Sequence, residues 1–156
     1  MGDGSKQNAK SSLEVRRITC NDLSDIKKIA DKTFPRPWGE KDFAYFLAHE
    51  HGWCRGVFEG NSLCAYLLSL VVQGEMDLVS IATAPEQQRK GHAARLVETA
   101  ASEKPIHRIL LEVNINNTDA IRFYEKMGFK QYGTRLKYYE GKDDALLMEK
   151  ATKKGN

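Results

Sequence analysis

The clearest indication of the fold lies in residues 77–101, which read DLVSIATAPEQQRKGHAARLVETAA. Asp77 to Thr83 is predicted as a strand, and the polar segment Pro85 to Gly91 is predicted as a loop. Apolar residues then recur at helical spacing, at Ala93, Leu96, Val97, Ala100 and Ala101. Because Pro105 cannot continue a helix, the helix ends before it. A strand, a loop and a helix in this order are typical of α/β domains.

The flanking sequence extends this pattern on both sides. Further strands are predicted at Leu13–Ile18, Trp53–Phe58, Leu63–Val72, Ile106–Val113, Phe129–Tyr139 and Ala145–Glu149. Helices are predicted after Asn21, around Phe43 to Leu47, and from Asn116 or Asn117 to a stop at Gly128. Ile106–Val113 is apolar enough to be buried on both faces, except at Glu112. The order predicts an α/β (α+β) fold, a mixed, mostly antiparallel twisted sheet of about six or seven strands with helices on both faces.

Length and composition limit the class of protein. The 156 residues suffice for one domain with its own core, which we place at residues 13–150. The polar ends, residues 1–12 and 151–156, are predicted to be disordered tails. No apolar run approaches the roughly 20 residues that a membrane helix needs, so no membrane partner is expected.

Charge and cysteine content exclude other classes. The net charge is only +3, and the basic residues are spread along the chain, whereas nucleic-acid binders usually concentrate them. The three cysteines, Cys20, Cys54 and Cys64, form no CxxC pair. We therefore expect reduced thiols in a cytoplasmic protein, no metal site and no nucleic-acid partner.

The loop from Gln88 to Ala94 is a candidate anion site. The N–H groups at a helix start are unpaired and carry the positive end of the helix dipole, so they can hold a phosphate. Gly91 lets the backbone approach such a group closely, and Arg89 and Lys90 add positive charge. An ordinary solvated loop with a glycine turn explains the same residues, and spacing alone favours it.

Glu112, Asn117 and Tyr124 are candidate functional residues with structural alternatives. A buried carboxylate is costly unless it has partners or a task, and burial would make Glu112 a stronger base. Equally, Glu112 could face solvent at the end of its strand. Asn117 suits a helix N-cap, and Tyr124 lies on the apolar stripe of its helix, where core packing is the default role.

Taken together, the motifs resemble those of a known family. They are Phe34-Pro35-Arg36-Pro37-Trp38; Ile81-Ala82-Thr83, Pro85 and Gln88-Arg89-Lys90-Gly91-His92-Ala93; Leu111-Glu112-Val113, Asn117, Ala120, Phe123-Tyr124-Glu125-Lys126 and Gly128-Phe129; and Arg135, Tyr138-Tyr139 and Asp144-Ala145-Leu146-Leu147-Met148. In this order they resemble the GCN5-related N-acetyltransferase (GNAT) superfamily from Leu13 to Lys150, most of all its ribosomal-protein-alanine N-acetyltransferases (RimI type). Ala93 replaces a frequent glycine, which the pattern permits. Asn114 stands where that branch often has a basic residue, which bears on the acceptor peptide more than on the chemistry.

The resemblance implies a GNAT fold and an activity. The chain is expected to transfer an acetyl group from acetyl-CoA to a primary amine, most of all the N-terminal α-amine of a protein such as a ribosomal protein. The resemblance implies acetyl-CoA contacts at Ile81, Ala82, Thr83, Arg89, Lys90, Gly91, His92, Ala93, Ala94 and Asn117. It makes Glu112 the candidate general base and Tyr124 the candidate general acid.

Three alternatives stay open from the sequence. The chain could acetylate a small-molecule amine such as a polyamine or an antibiotic, although Tyr138 and Tyr139 favour a peptide. It could bind acetyl-CoA without catalysis, although Glu112 and Tyr124 are both present. A nucleic-acid-binding protein is suggested only by the basic isoelectric point near 8.7, and neither a helix-turn-helix nor an aromatic RNA-binding motif is visible in the sequence.

Overall fold

The computed structural model describes residues 12–103, 105–139 and 141–152. Within these ranges the helices are α1 (Leu23–Thr33), α2 (Glu40–Ala48), α3 (His92–Ser102) and α4 (Thr118–Lys126). The strands are β1 (Leu13–Arg17), β2 (Gly52–Glu59), β3 (Ser62–Val72), β4 (Glu75–Thr83), β5 (Arg108–Asn114), β6 (Lys130–Tyr139) and β7 (Asp143–Ala151).

All seven strands belong to one sheet with the order β1-β2-β3-β4-β5-β7-β6. β1 pairs with β2, β5 with β7, and β6 with β7 in antiparallel fashion. β4 and β5 are parallel, because the intervening α3 returns the chain to the end of the sheet at which β4 begins. The predicted fold class, a mixed and mostly antiparallel sheet combined with helices, is confirmed.

The contacts of the chain group it into two compact units. Unit 1 comprises the described residues up to Leu68 together with Ser80–Leu96. In it, α1 buries Ile26, Ile29 and Ala30, and β3 is fully buried from Cys64 to Leu68. Phe43 of α2 meets the ring of Tyr66 edge-on, with centroids 6.2 Å apart. A continuous apolar run through β3 therefore forms the core of this unit.

Unit 2 comprises Ser69–Val79 and the described residues from Val97 onward. In β5, Ile109, Leu111 and Val113 are buried, whereas Glu112 is exposed. The prediction that this strand is buried on both faces is therefore wrong. The alternation of side chains places an apolar row on one face and, on the other, a row that is polar except for Leu110.

Two further sequence expectations require correction. Asn21 does not cap α1, whose N-cap position is Asp22. Asn21 lies in a short 3-10 helix, Cys20–Asp22, that is capped by Thr19, and the Thr19 Oγ1 accepts a hydrogen bond from the Asn21 amide at 3.2 Å. The predicted C-terminal tail starts two residues too early, because β7 extends to Ala151 and Thr152 is buried. The Thr152 hydroxyl donates to the carbonyl of Ile106 at 2.8 Å, and this bond fixes the end of the strand. The other predicted tail residues, 1–11 and 153–156, lie outside the described residues.

Among the described residues, no helix combines the length and the hydrophobicity that a bilayer span requires.

Candidate active site

The loop before α3 has the backbone geometry expected of an anion site. Arg89 and Gly91 both have left-handed conformations, with φ of 66° and 81°. Such residues, alternating with right-handed ones, can turn successive N–H groups toward one point and form an anion-binding concavity. The first bond of α3 runs from the Arg95 amide to the Gly91 carbonyl at 3.0 Å. The N–H groups that precede Arg95 therefore have no acceptor within the helix.

The side chains of this loop divide into outward and inward groups. Arg89 and Lys90 are exposed, and neither forms an ion pair with a described residue. His92 is only 3% exposed, and its Nε2 lies 3.2 Å from Oε1 of Gln87. Loss of hydration, and then the charge of Lys90, lower the pKa of His92. The His92 side chain is thus suited to stabilising the loop as a neutral, buried ring rather than to binding an anion.

The end of β4 supplies the other cofactor residues predicted in unit 1. Ala82 is buried, and Ile81 and Thr83 are half-buried. The pairing of β4 with β5 covers Glu75 to Asp77 and ends there, so Ile81 to Thr83 lie beyond that ladder. The Ala84 amide that follows donates to the Cys64 carbonyl at 2.8 Å.

In unit 2, Glu112 lies on the polar face of β5 with 31% of its side chain exposed. The expectation that Glu112 is buried is therefore wrong, and the alternative, in which Glu112 faces solvent, agrees with the structure. Its Oε2 is 2.8 Å from Nε of Arg135, and its Oε1 accepts a hydrogen bond from the Tyr138 hydroxyl at 3.3 Å. Since a carboxylate offers about four lone-pair positions, these two contacts leave room for a further donor.

The register of β6 shifts twice, before Arg135 (between Gln131 and Gly133) and after it (between Arg135 and Tyr139), and Tyr138 lies within the second irregularity. Arg135 is paired with Ala145 and Tyr139 with Asp143, so β6 advances four residues while β7 advances two. Lys137, inside this bulge, has a left-handed φ of 50°. Its amide donates to Oδ1 of Asp144 at 2.8 Å, which stabilises the turn of the backbone. Bulges of this kind re-aim side chains.

Tyr124 lies on the buried side of α4. It is 7% exposed and packs against Phe129, with ring centroids 5.4 Å apart. Burial, and then the neighbouring Tyr139, raise the pKa of Tyr124 well above its usual value. Among the described residues, none forms a hydrogen bond with its hydroxyl.

Tyr139 connects the two candidate catalytic residues within unit 2. Burial, and then the charge of Glu112, raise the pKa of Tyr139 to about 12. Tyr139 also interacts with Tyr124. Within unit 2, Tyr139 thus lies near both Glu112 of β5 and Tyr124 of α4.

Asn117 caps α4, as predicted. Its Oδ1 accepts a hydrogen bond from the Ala120 amide at 3.2 Å. The residue is exposed, which leaves its amide nitrogen available to a ligand.

A cavity of about 300 Å³ lies in unit 1, between α1, the β2–β3 turn and the turn after β4. Its lining includes Lys28, Lys32, Asn61 and Gln87. None of the predicted cofactor residues lines it, so the candidate active site is distinct from this cavity.

The family model for the acetyltransferase (GNAT) family matches residues 23–129. The chain belongs to the GNAT acetyltransferase family. It is 31% identical to a [ribosomal protein bS18]-alanine N-acetyltransferase of Escherichia coli K12, over 90% of this chain and 95% of that protein. It is also 31% identical to an N-alpha-acetyltransferase of Saccharolobus solfataricus, over 86% and 90% of the two chains. The crystal structure of the Escherichia coli ribosomal-protein-S18-alanine N-acetyltransferase superposes with a TM-score of 0.80, at 27% identity, covering 89% of this chain and 93% of that one.

In this acetyltransferase, the structure adds Arg135 to the surroundings of the candidate base. Arg135 and Tyr138 belong to the C-terminal motif already visible in the sequence, but their contact with Glu112 was not predicted. It depends on the register of β6, and the sequence offers no local signal for the irregularity after Arg135, such as a glycine at Lys137.

Proposed function

We propose that this GNAT acetyltransferase transfers an acetyl group from acetyl-CoA to the N-terminal α-amine of a protein, with a ribosomal protein as the leading acceptor. One observation supports this class of acceptor. The chain is similar, along 90% of its length, to an enzyme named for the alanine of a ribosomal protein. The proposal includes acetyl-CoA as the cosubstrate.

The loop before α3 fits the phosphate groups of acetyl-CoA. Gly91 has a φ of 81°, a Cβ there would meet no atom within 4 Å, and the adjoining helix amides lack internal acceptors. In the proposed complex, the amides from Arg89 to Ala94 hold the pyrophosphate, and the backbone of Ile81 to Thr83 binds the pantetheine and acetyl end. Asn117 contacts the cosubstrate through the amide nitrogen that its capping role leaves available.

Three groups of this chain take part in the proposed chemistry. Glu112 accepts the proton of the amine, directly or through a water, at the lone pairs that Arg135 and Tyr138 leave unused. Tyr124 donates a hydrogen bond, and then a proton, to the departing sulfur. A strand N–H near Ile81 or Ala82 stabilises the oxyanion. No cysteine is needed, because the amine attacks the acetyl carbon directly.

The physical chemistry of the amine favours an N-terminus over a lysine. An α-amine has a pKa of about 7.7–8.0 and a lysine about 10.4. Deprotonating lysine at neutral pH therefore costs roughly 3.5 kcal/mol more. A single carboxylate at a partly exposed position suits the easier deprotonation.

The acceptor class is tested with a panel of amines at pH 7. It contains peptides with free N-termini, N-terminally blocked peptides with one lysine, and polyamines, and acetyl transfer is read by mass spectrometry. We expect transfer to the free N-termini. Preferred transfer to the polyamines would instead place the chain among acetyltransferases of small molecules.

A further inference from the structure

Among the described residues, the polar face of unit 2 carries Glu75 and Asp77 on β4, Glu112 on β5 and Glu149 on β7, together with Asp143 at the start of β7, which accepts a hydrogen bond from the Asn114 side-chain amide. Three of them have cationic partners. Arg108 bonds Glu75 at 2.9 Å and Glu149 at 2.8 Å, and Arg135 bonds Glu112 at 2.8 Å. Asp77 differs from these, because no described residue donates a hydrogen bond to it or forms an ion pair with it. Its carboxylate oxygens are therefore available to a ligand.

The register places Asp77 close to Glu112. Asp77 is the last β4 residue in the ladder with β5, where it lies opposite Leu110. Glu112 follows Leu110 by two residues and therefore projects from the same face. From a strand spacing of about 4.8 Å and a rise of about 3.3 Å per residue, the Cα atoms of Asp77 and Glu112 are roughly 8 Å apart. One cation between the two side chains can be near both carboxylates.

The electrostatics of Asp77 agree with this placement. Loss of hydration raises the pKa of Asp77, and the charge of Glu112 raises it further. Arg135 opposes the increase, whereas Glu75 adds to it. The charges that face Asp77 are thus those of Glu75, Glu112 and Arg135. An added cation beside Asp77 would relieve the repulsion between its carboxylate and that of Glu112.

The acceptor supplies a cation of this kind. At pH 7 most of an α-amine with a pKa of about 7.7–8.0 is an ammonium group, which has N–H donors for more than one carboxylate oxygen. Each oxygen of Glu112 already has one partner, so Glu112 can accept part of the N–H donors of an ammonium group, and a second carboxylate nearby can accept the others. We propose that Asp77 binds the ammonium group of the acceptor and places it beside Glu112. This inference rests on the proposed function, because it concerns the acceptor of that reaction.

The test is Asp77→Asn, with Glu75→Gln as the matched control on the same strand and face. At pH 7 we expect Asp77→Asn to raise the KM for a free-amine peptide about tenfold. An increase of this size corresponds to the loss of one charge-assisted hydrogen bond at a partly exposed site. The KM for acetyl-CoA should not change. At pH 9.5 the amine is neutral and has no charge for Asp77 to attract, so the KM ratio of variant to wild type should fall toward one.

A second measurement separates ammonium binding from a general loss of charge. Calorimetry, with coenzyme A present, compares a peptide that has a free N-terminus with the same peptide acetylated there. Wild type and Glu75→Gln should prefer the free amine, and Asp77→Asn should lose that preference. If wild type transfers acetyl groups to peptides but Asp77→Asn keeps both its KM and its preference, the role of Asp77 is overturned while the proposed function stands. Equal defects in the two variants would also overturn it, and transfer to no peptide at all would remove both proposals.

Discussion

Glu112 contacts two side chains of β6 that differ in their chemistry. Arg135 is a permanent cation that bonds Oε2, whereas Tyr138 is a neutral donor at the longer distance of 3.3 Å. A hydrogen bond of that length is weak, so Oε1 is the oxygen that an incoming amine or water can reach most readily. The proposed base is thus a carboxylate fixed on one side and accessible on the other.

Replacing Glu112 by Gln should lower turnover by about 10²–10⁴-fold at pH 7, the usual contribution of a general base. The dissociation constant of acetyl-CoA should not change, because the base acts on the acceptor. The defect should lessen at high pH, where the amine is already free. Glu149→Gln is the matched control, since Glu149 is also an arginine-bound carboxylate with a similar exposed fraction, 34%. Wild-type turnover in Glu112→Gln at pH 7 would reduce Glu112 to a structural residue.

Tyr124→Phe should be slow at pH 7 and approach the wild-type rate near pH 9.5. The raised pKa of Tyr124 keeps it protonated throughout this range. A thiol has a pKa of about 8.5, so above that pH the thiolate is a stable product and a donor matters less. Single-turnover rates of both proteins at saturating ligands, from pH 6.5 to 9.5, measure the ratio. A ratio that stays constant with pH would mean that Tyr124 serves packing or positioning.

At the level of elements, the loop before α3 is defined by backbone conformation more than by its side chains. Gly91→Val should weaken acetyl-CoA binding much more than it destabilises the fold. The added Cβ meets no neighbouring atom, but a β-branched residue is strained at a φ of 81°, so the loop must rearrange.

Gly60→Val is the control for this strain. Gly60 has a φ of 60°, and a Cβ there also meets no atom within 4 Å, but it lies in the β2–β3 turn. Calorimetry of both folded variants with acetyl-CoA should show lost affinity only for Gly91→Val. Unchanged affinity in that variant would mean that this loop does not hold the phosphates.

The periodicity of the sequence was sufficient to predict the existence and order of the seven strands and four α-helices that the described residues form, because apolar patterns of period two and 3.6 report burial. Element ends were less predictable. β7 extends to Ala151 because Thr152 bonds to Ile106, and that partner lies 46 residues away in the chain. Contacts between distant residues also limit how much of the candidate site can be predicted. Glu112 and Tyr124 occur in recognisable motifs, whereas the contact of Arg135 with Glu112 depends on the register of the strands.

For the molecule as a whole, buried tyrosines should make stability decline in alkali. Tyr66 is fully buried, its hydroxyl lies 3.0 Å from Oγ of Ser80, and burial raises its pKa to about 12. The unfolded chain releases this proton near pH 10, so folding retains a proton that the unfolded state loses. The stability linked to Tyr66 is complete below pH 10 and is lost as the pH rises toward 12.

Tyr66→Phe isolates this effect in urea unfolding at pH 8, 10 and 11. At pH 8 the variant should be less stable by about 1 kcal/mol, because it lacks the hydrogen bond to Ser80. The difference from wild type should shrink above pH 10, by at most about 1.4 kcal/mol per pH unit. Ser80→Ala, which keeps the phenol, should show no such recovery. A constant difference between Tyr66→Phe and wild type would contradict the account.

The most direct test of the central claim uses one peptide that carries both a free N-terminal alanine and an internal lysine. The full chain is incubated with this peptide and acetyl-CoA at pH 7, and tandem mass spectrometry locates the added acetyl group. We expect the acetyl group on the α-nitrogen, with the lysine unmodified, and loss of the product when Glu112 is replaced by Gln. Acetylation of the lysine in preference to the N-terminus, or no enzyme-dependent acetylation of either amine, would contradict an N-terminal acetyltransferase.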